Sequence, residues 1–404
     1  MIIRARALVT MDGAPIENGA IAVAGNKIVD VGSWPDVHRR NLGQTEDLGE
    51  CVLLPGLINA HCHLDYTELR GQIAPQASFA GWIGEINARK ADFTADDYLR
   101  SIACGFAEAA QFGTTTIANL EAFPELLPRI PPPPLRTWWF GEMIDVRAAV
   151  EVADVYAELR GGFGADWCGG IGLAPHALYT VSGKLYAEAA IVAAQHQLPI
   201  TTHLAESREE MAMFRDGSGP LFEFLQSIGR PMSDCGATTP LALLLQRRLL
   251  DERWIVAHLN DLTAGDFRLL ESAPKFHIVH CPRSHAFFGH TPFALEKLRA
   301  LGFNICLGTD SLSSNESLSM FAEMRQLAQT QPSLSPCALV EMVTTNAASA
   351  LGQQDVLGRL RVGHLADAIA LPFTGDVSRV YEEIVEFAER VPWLLVNGRK
   401  LENT

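Results

Sequence analysis

Leu54-Pro55-Gly56-Leu57-Ile58-Asn59-Ala60-His61-Cys62-His63-Leu64 holds a short apolar run that ends in two histidines one residue apart. Alternate residues of an extended chain point the same way, so both imidazoles can face one point. The arrangement recurs downstream. His176 follows Ile171-Gly172-Leu173, His203 follows Ile200-Thr201-Thr202, His258 follows Ile255-Val256-Ala257, and Asp310 follows Asn304-Ile305-Cys306-Leu307 by three residues. Thr114 to Ala118, Arg136 to Phe140 and Phe276 to Val279 are similar runs. Helical stretches lie between them, among them Tyr98 to Phe112, Lys184 to His196 and Leu318 to Ala328. Continuous apolar strands alternating with helices predict a parallel sheet covered on its outer face. With Leu57-Ile58 the runs number about eight, as a closed barrel requires. The fold class expected is α/β, a (β/α)8 TIM-type barrel, with an open doubly wound sheet as the alternative. Polar residues at the C-terminal ends of several strands then converge on one face, where such barrels carry their active sites.

Both ends of the chain read differently. Ala20 to Ala24 and Lys27 to Val31 are β-rich runs separated by Gly25-Asn26, a hairpin pattern. Cys51-Val52-Leu53-Leu54, Ala368 to Leu371 and Trp393 to Val396 are further short strands. A small β-sandwich domain built from both termini is expected, residues 1–54 plus 357–404, around a barrel at 55–356. Pro131 to Pro134 reads as a stiff surface loop inside the barrel unit, because the alternation continues on both sides.

Composition narrows the partners. The 404 residues carry a net charge of -15, which disfavours nucleic-acid backbones and anionic membranes. No stretch approaches the ~18 apolar residues of a membrane span. The opening Met1-Ile2-Ile3-Arg4-Ala5-Arg6 lacks the pattern of a signal peptide. The eight cysteines form no C-x-x-C pair, so free thiols in a reducing cytoplasm are expected. The predicted partner is a small-molecule substrate.

Three imidazoles and a carboxylate suit a borderline metal such as zinc, with one position left for water; iron and manganese satisfy the same ligand types. His38, His196, His277 and His364 stand outside the strand-end pattern and read as ordinary core or surface histidines. His-Glu-x-x-His and the Pro-Cys-x-x-Cys of small zinc deaminases are absent. His176 occupies the end of the fourth strand, where a bridging lysine would signal two metals, so one divalent ion per subunit is expected.

Taken together, Leu54 to Leu64, Ala174-Pro175-His176, His203-Leu204-Ala205-Glu206, Ala257-His258, His280-Cys281-Pro282-Arg283-Ser284, Leu307-Gly308-Thr309-Asp310-Ser311 and Gly358 to Asp367 resemble, in order, the segments of the amidohydrolase superfamily. Within it the chain is similar to the group of ring aminohydrolases. These include deaminases of S-adenosylhomocysteine, methylthioadenosine, guanine and aminodeoxyfutalosine, and the triazine chlorohydrolases. The resemblance implies His61, His63, His203 and Asp310 as metal ligands. It implies Glu206 as proton shuttle, His258 as the histidine that helps activate water and stabilise the transition state, and His176 as a substrate contact. Asp310 would also accept the proton of the attacking water, and a homodimer follows by analogy.

The loops depart from the commoner pattern. His285 stands where many relatives have asparagine, and the segments Leu64 to Gly71 and Phe79 to Ile83 look most like aminodeoxyfutalosine deaminases of a menaquinone pathway. For substrate contact, Trp82, Phe79, Phe287 and Phe288 are read as a stacking wall, Arg283 as partner of a substrate carboxylate, and His285 and His290 as further candidates. Deamination of S-adenosylhomocysteine, methylthioadenosine, adenosine or guanine is an alternative, as is hydrolysis of a ring chloride or cyclic amide. A non-catalytic binding protein on the same fold is the alternative from another class.

Overall fold

The computed structural model describes residues 1–401; the end of the expected β domain, 402–404, lies outside the described residues. The middle of the chain is a barrel. Its strands are β1 (Leu57–His63), β2 (Thr114–Glu121), β3 (Arg136–Met143), β4 (Gly169–Pro175), β5 (Ile200–Leu204), β6 (Trp254–His258), β7 (His277–His280) and β8 (Asn304–Leu307, resuming at Asp310–Ser311). Each pairs in parallel with the next. Asp310 and Ser311 then pair with Cys62 and His63, which closes the ring.

Two local features make the closure. Gly308 lies against β1 so tightly that a Cβ there would stand 2.7 Å from the His61 carbonyl oxygen. Beside it, the Asn59 side chain donates to Thr309 Oγ1 at 2.8 Å and accepts from Thr309 N at 3.1 Å. β8 is therefore interrupted for two residues and turns Asp310 inward.

Strand alternation sorts the cores. Ile58, Ala60, Ala118, Leu120, Trp138 and Phe140 belong to one buried cluster. The intervening Leu57, Ile117 and Trp139 belong to another, packed against the surrounding helices. Full burial of one such aliphatic or aromatic side chain contributes roughly 1.5–3 kcal/mol, so the period-two pattern holds each strand in register. Helices start where the sequence offers caps. Thr94 and Asp97 form a reciprocal capping box at Ala95–Gln111, and Ser182 caps Gly183–His196.

The termini meet in one mixed sheet. Trp393–Val396 pairs with Ala368–Pro372, which pairs with Cys51–Pro55, then Ile2–Leu8, Ile16–Ala24 and Lys27–Ser33. The sheet forks at Ile2–Leu8, whose first half pairs with Thr45–Asp47 and whose second half pairs with Cys51–Pro55. Ile3, Ile21, Ile28, Leu53, Ala368 and Leu395 fill its core. One buried ion pair joins it to the barrel: Arg136 Nε at the start of β3 lies 2.9 Å from Asp367 Oδ2, with both side chains about 95% buried, at 6% and 5% exposure.

All eight cysteines are free thiols; Cys62, Cys281 and Cys306 are buried, whereas Cys104 is exposed. Among the described residues, no helix is long and apolar enough to cross a membrane.

Candidate active site

The barrel strands run further than their apolar cores and carry the polar residues at their ends to the mouth. His61 and His63 close β1, His203 lies in β5 and His258 ends β6. Ligand atoms of His61, His63 and Asp310 lie within 4.8 Å of one another, as do those of His61, His203 and His258, and those of Glu206, His258 and Asp310. His63 Nε2 and His203 Nε2 are 3.3 Å apart, and Asp310 Oδ1 is 3.9 Å from both His61 Nε2 and His63 Nε2.

These residues fit a metal ion. Both ring nitrogens of His61 are buried without a hydrogen-bond partner, and so is His258 Nε2. Orphaned buried nitrogens in one pocket are costly unless something fills it. Two nitrogens at ~2.0–2.1 Å from a tetrahedral zinc would be about 3.3 Å apart, matching the His63–His203 separation. Burial holds the His61 imidazole down to about 3 and keeps those of His63 and His258 well below their usual range. They are therefore neutral at ordinary pH, with lone pairs free to coordinate.

Neighbouring groups fix the orientations. His203 Nδ1 donates to the His176 carbonyl at 2.9 Å, which leaves Nε2 bare toward the cluster. Ser284 Oγ donates to Asp310 Oδ2 at 2.7 Å, and Ser311 N to Oδ1 at 2.7 Å. His258 Nε2 is 3.7 Å from Glu206 Oε1. Burial, with Asp310 and Glu210 nearby, lifts the Glu206 carboxyl well above the usual carboxylate range. Its protonated form is thereby favoured at the edge of the cluster. Three of these positions need left-handed backbone: Ala205 at φ 49°, His258 at φ 73° and Asp310 at φ 59°. Each is a non-glycine residue in a sparsely populated region, held there by its surroundings.

Above the cluster opens a cavity of about 410 Å³. His176 and Tyr179 form part of one wall; the helix Phe79–Lys90 roofs it with Phe79, Trp82, Ile86 and Lys90 on one face. The Phe79 and Trp82 rings stack at 5.9 Å. Phe288 packs edge-on against Trp82 at 5.0 Å, behind the lining.

The amidohydrolase family model matches residues 52–398. The chain belongs to the amidohydrolase family. This amidohydrolase is 31% identical over 387 residues to a 5-methylthioadenosine/S-adenosylhomocysteine deaminase of Nitratidesulfovibrio vulgaris (strain Hildenborough), a match covering 92% of this chain and 83% of that protein. Its fold superposes on an adenosine deaminase from Xanthomonas campestris solved with bound zinc, with TM-score 0.84, 23% identity, and 99% and 92% of the two chains covered. It also superposes on Helicobacter pylori aminofutalosine deaminase in complex with methylthio-coformycin, with TM-score 0.83, 20% identity, and 99% and 100% covered. The protein is an enzyme, a hydrolase acting on carbon–nitrogen bonds other than peptide bonds.

In this amidohydrolase His61, His63, His203, His258, Glu206 and Asp310 converge, and His176 and Trp82 line the cavity. Arg283 and His285 do not. Arg283 is drawn away by Glu316, 2.7 Å from its Nη2, and by Ser317 Oγ at 2.8 Å. His285 sits one layer back, its Nδ1 3.1 Å from Asn260 Oδ1, while Asn260 Nδ2 donates to the Glu206 carbonyl at 3.1 Å. The cations that line the cavity are Lys90 and Arg147, and its added carboxylate is Glu142. Sequence reading had a signal for Glu142: extending the apolar run of β3 by two residues puts it at the same strand end as the histidines. Lys90 and Arg147 gave none, since their approach depends on how a helix and a loop fold over the barrel.

Proposed function

We propose that this amidohydrolase is a metal-dependent hydrolytic deaminase that replaces the amino group of a purine-type ring with oxygen and releases ammonia. The observation that carries this reading is Glu206, a buried carboxyl 3.7 Å from His258 at the edge of the histidine cluster, in surroundings that favour its protonated form. An amino group must gain a proton to leave, whereas chloride need not, and Glu206 is the proton source in reach.

His61, His63, His203 and Asp310 would hold one divalent ion, taken here as zinc, which when bound lowers the pKa of a water from about 15.7 towards ~7 and so provides the nucleophile. Asp310 accepts the proton of the attacking water. His258 hydrogen-bonds the attacking oxygen through Nε2. Glu206 gives its proton to the ring nitrogen beside the attacked carbon, takes the second proton of the attacking oxygen as the new carbonyl forms and passes it to the leaving amine; the first proton, held by Asp310, then returns to Glu206. Positioned acid–base catalysis of this kind contributes roughly 10²–10⁴-fold. The aromatic faces of Phe79 and Trp82 suit a flat ring. Residues 55–356 are taken as the catalytic barrel, and 1–54 with 357–404 as the composite β domain.

In its finer form the substrate is aminodeoxyfutalosine, which would place the enzyme in menaquinone biosynthesis; the loop segments after β1 support it. Methylthioadenosine or S-adenosylhomocysteine is the second reading, favoured by the 31% identical relative. Ammonia release from metal-loaded protein across these compounds, adenosine and guanine tests both. A kcat/KM of ~10⁴ M⁻¹s⁻¹ or more for one compound identifies the substrate; no release from any of them rejects the deaminase. Glu206→Gln is expected to keep its metal and lose nearly all turnover.

A further inference from the structure

A second cavity, of about 660 Å³, lies at the floor of the barrel, where the β domain meets it. Asn304, which begins β8, is part of its wall, whereas Asp310 ends the same strand. At roughly 3.3 Å per residue the stretch between them spans up to about 20 Å, so the two cavities open at opposite ends of the barrel. His364 lines the lower one and is only 4% exposed. Its Nδ1 is sealed and without a partner; its Nε2, equally without a partner, is not sealed and meets the cavity. A proton on Nδ1 would be a buried donor with no acceptor, so the N–H of the neutral ring belongs on Nε2. Burial, and then Arg359 and Arg361, hold this imidazole below its usual range.

Two guanidinium groups line the same cavity with most of their donors unspent. Both approach the Asp12 carboxylate through Nε, Arg359 at 3.9 Å and Arg361 at 3.5 Å. Arg359 Nη1 reaches the Gln354 carbonyl at 3.5 Å, and the Arg361 guanidinium makes no hydrogen bond among the described residues. Lys27 adds a third positive charge beside His364, its Nζ donating to the Gly363 carbonyl at 3.0 Å. Against these three cations stand the carboxylates of Asp12 and Asp355. In a chain of net charge -15 this is a local surplus of positive charge. The Ser349 hydroxyl, also in the lining, is unbonded too. Forked guanidinium donors, an imidazole N–H and a hydroxyl match the several acceptor oxygens of a phosphate. A carboxylate has two oxygens in one plane and would leave part of this donor set unpaired. We propose that Arg359, Arg361 and His364 form a binding site for a phosphate group, free or carried by a small phosphate monoester, at the floor of the barrel. The bound group takes over the two guanidinium groups from Asp12. The site stands apart from the deaminase reading and does not depend on it.

NMR of the histidine ring signals of the metal-loaded protein reads the site directly, with His364 assigned by its loss in His364→Gln. Inorganic phosphate, ribose 5-phosphate and ribose are titrated in turn at constant pH and ionic strength. Phosphate is expected to move the His364 signals saturably and to raise the pH midpoint of that ring by about one unit or more, as an opposite charge within about 4–6 Å does. Arg361→Gln changes a side chain that is 60% exposed, so the fold is kept. It is expected to weaken phosphate binding roughly tenfold or more, the range for hydrogen bonds to charged groups, and Arg359→Gln likewise. Tighter binding of ribose 5-phosphate than of phosphate assigns an ester; equal or weaker binding assigns the free ion. Ribose is expected to leave the signals unmoved. A His364 signal that neither phosphate moves, the same response to ribose, or undiminished binding in both arginine variants would overturn the proposal.

Discussion

Glu209 and Glu210, adjacent in the chain, each bind two consecutive backbone amides, and the two pairs stand on different sides of the cavity. Glu209 accepts from Phe79 N at 2.8 Å and Ala80 N at 3.0 Å, the first turn of the roof helix. Glu210 accepts from Ala205 N at 3.1 Å and Glu206 N at 2.8 Å, the segment that carries the proposed acid. One helical turn thus anchors both the roof and the acid. Carboxylate acceptors at a helix N-terminus also meet its positive dipole end.

The two glutamates are expected to separate in steady-state kinetics. Glu209→Ala loosens the roof and leaves Glu206 in place, so KM rises several-fold with kcat little changed. Glu210→Ala leaves two buried amides unpaired at a cost of about 1–3 kcal/mol each, and kcat falls instead. A kcat loss in Glu209→Ala equal to that in Glu210→Ala would refute the division.

Barrel closure gives a second test. Gly308→Ala puts a methyl 2.7 Å from the His61 carbonyl oxygen and 2.8 Å from its Cβ. Overpacking of this kind costs about 1–3 kcal/mol, and here it also displaces a proposed ligand. Lower stability in denaturant melts and weaker metal retention are expected together. Gly84→Ala is the control. It sits in the roof helix with nothing within 4 Å of its added Cβ and should stabilise by roughly 0.5–1 kcal/mol. Unchanged metal retention in Gly308→Ala would detach closure from the site.

The barrel and its strand-end histidines were legible because both rest on local periodicity: an apolar run fixes a strand, and the next polar residue on the inward side reaches the mouth. What was not legible depends on contacts between distant segments. Arg283 was read as the partner of a substrate carboxylate, against a structural salt bridge, and it pairs with Glu316, thirty-three residues later. Lys90, on the helix after β1, and Glu142, in β3, line one cavity, which no spacing reports. His285 was read as a substrate contact, whereas Asn260 holds it behind the Glu206 backbone.

His285 carries a pH prediction. Burial holds its imidazole down to about 4, below the ordinary 6.5. Its neighbours are Asn260 and the rings of His280 at 5.0 Å and His290 at 5.4 Å. The unfolded chain binds the proton more readily, so the stability it contributes is complete above pH 6.5 and is lost as pH falls through about 4. His285→Asn keeps a side chain able to meet Asn260 and removes the titration. Melts between pH 7 and 4.5 are expected to show a shallower acid decline in the variant; parallel curves would show that His285 protonates freely in the fold.

Asp367→Ala addresses the join between the two sheets. It leaves the Arg136 guanidinium, at 6% exposure, without its carboxylate. Breaking a buried pair from one side costs about 3–5 kcal/mol. The double variant Arg136→Met, Asp367→Leu is expected to recover much of that in urea melts. A single variant within about 0.5 kcal/mol of wild type would contradict the burial of the pair.

The left-handed backbone at Ala205, His258 and Asp310 sets a conflict for anyone who engineers this protein. Such conformations cost of order 1–3 kcal/mol apiece, and glycine would relieve much of it. A search that rewards thermal tolerance alone would therefore be drawn early to these three places. It would return a sturdier barrel with its mouth disarmed.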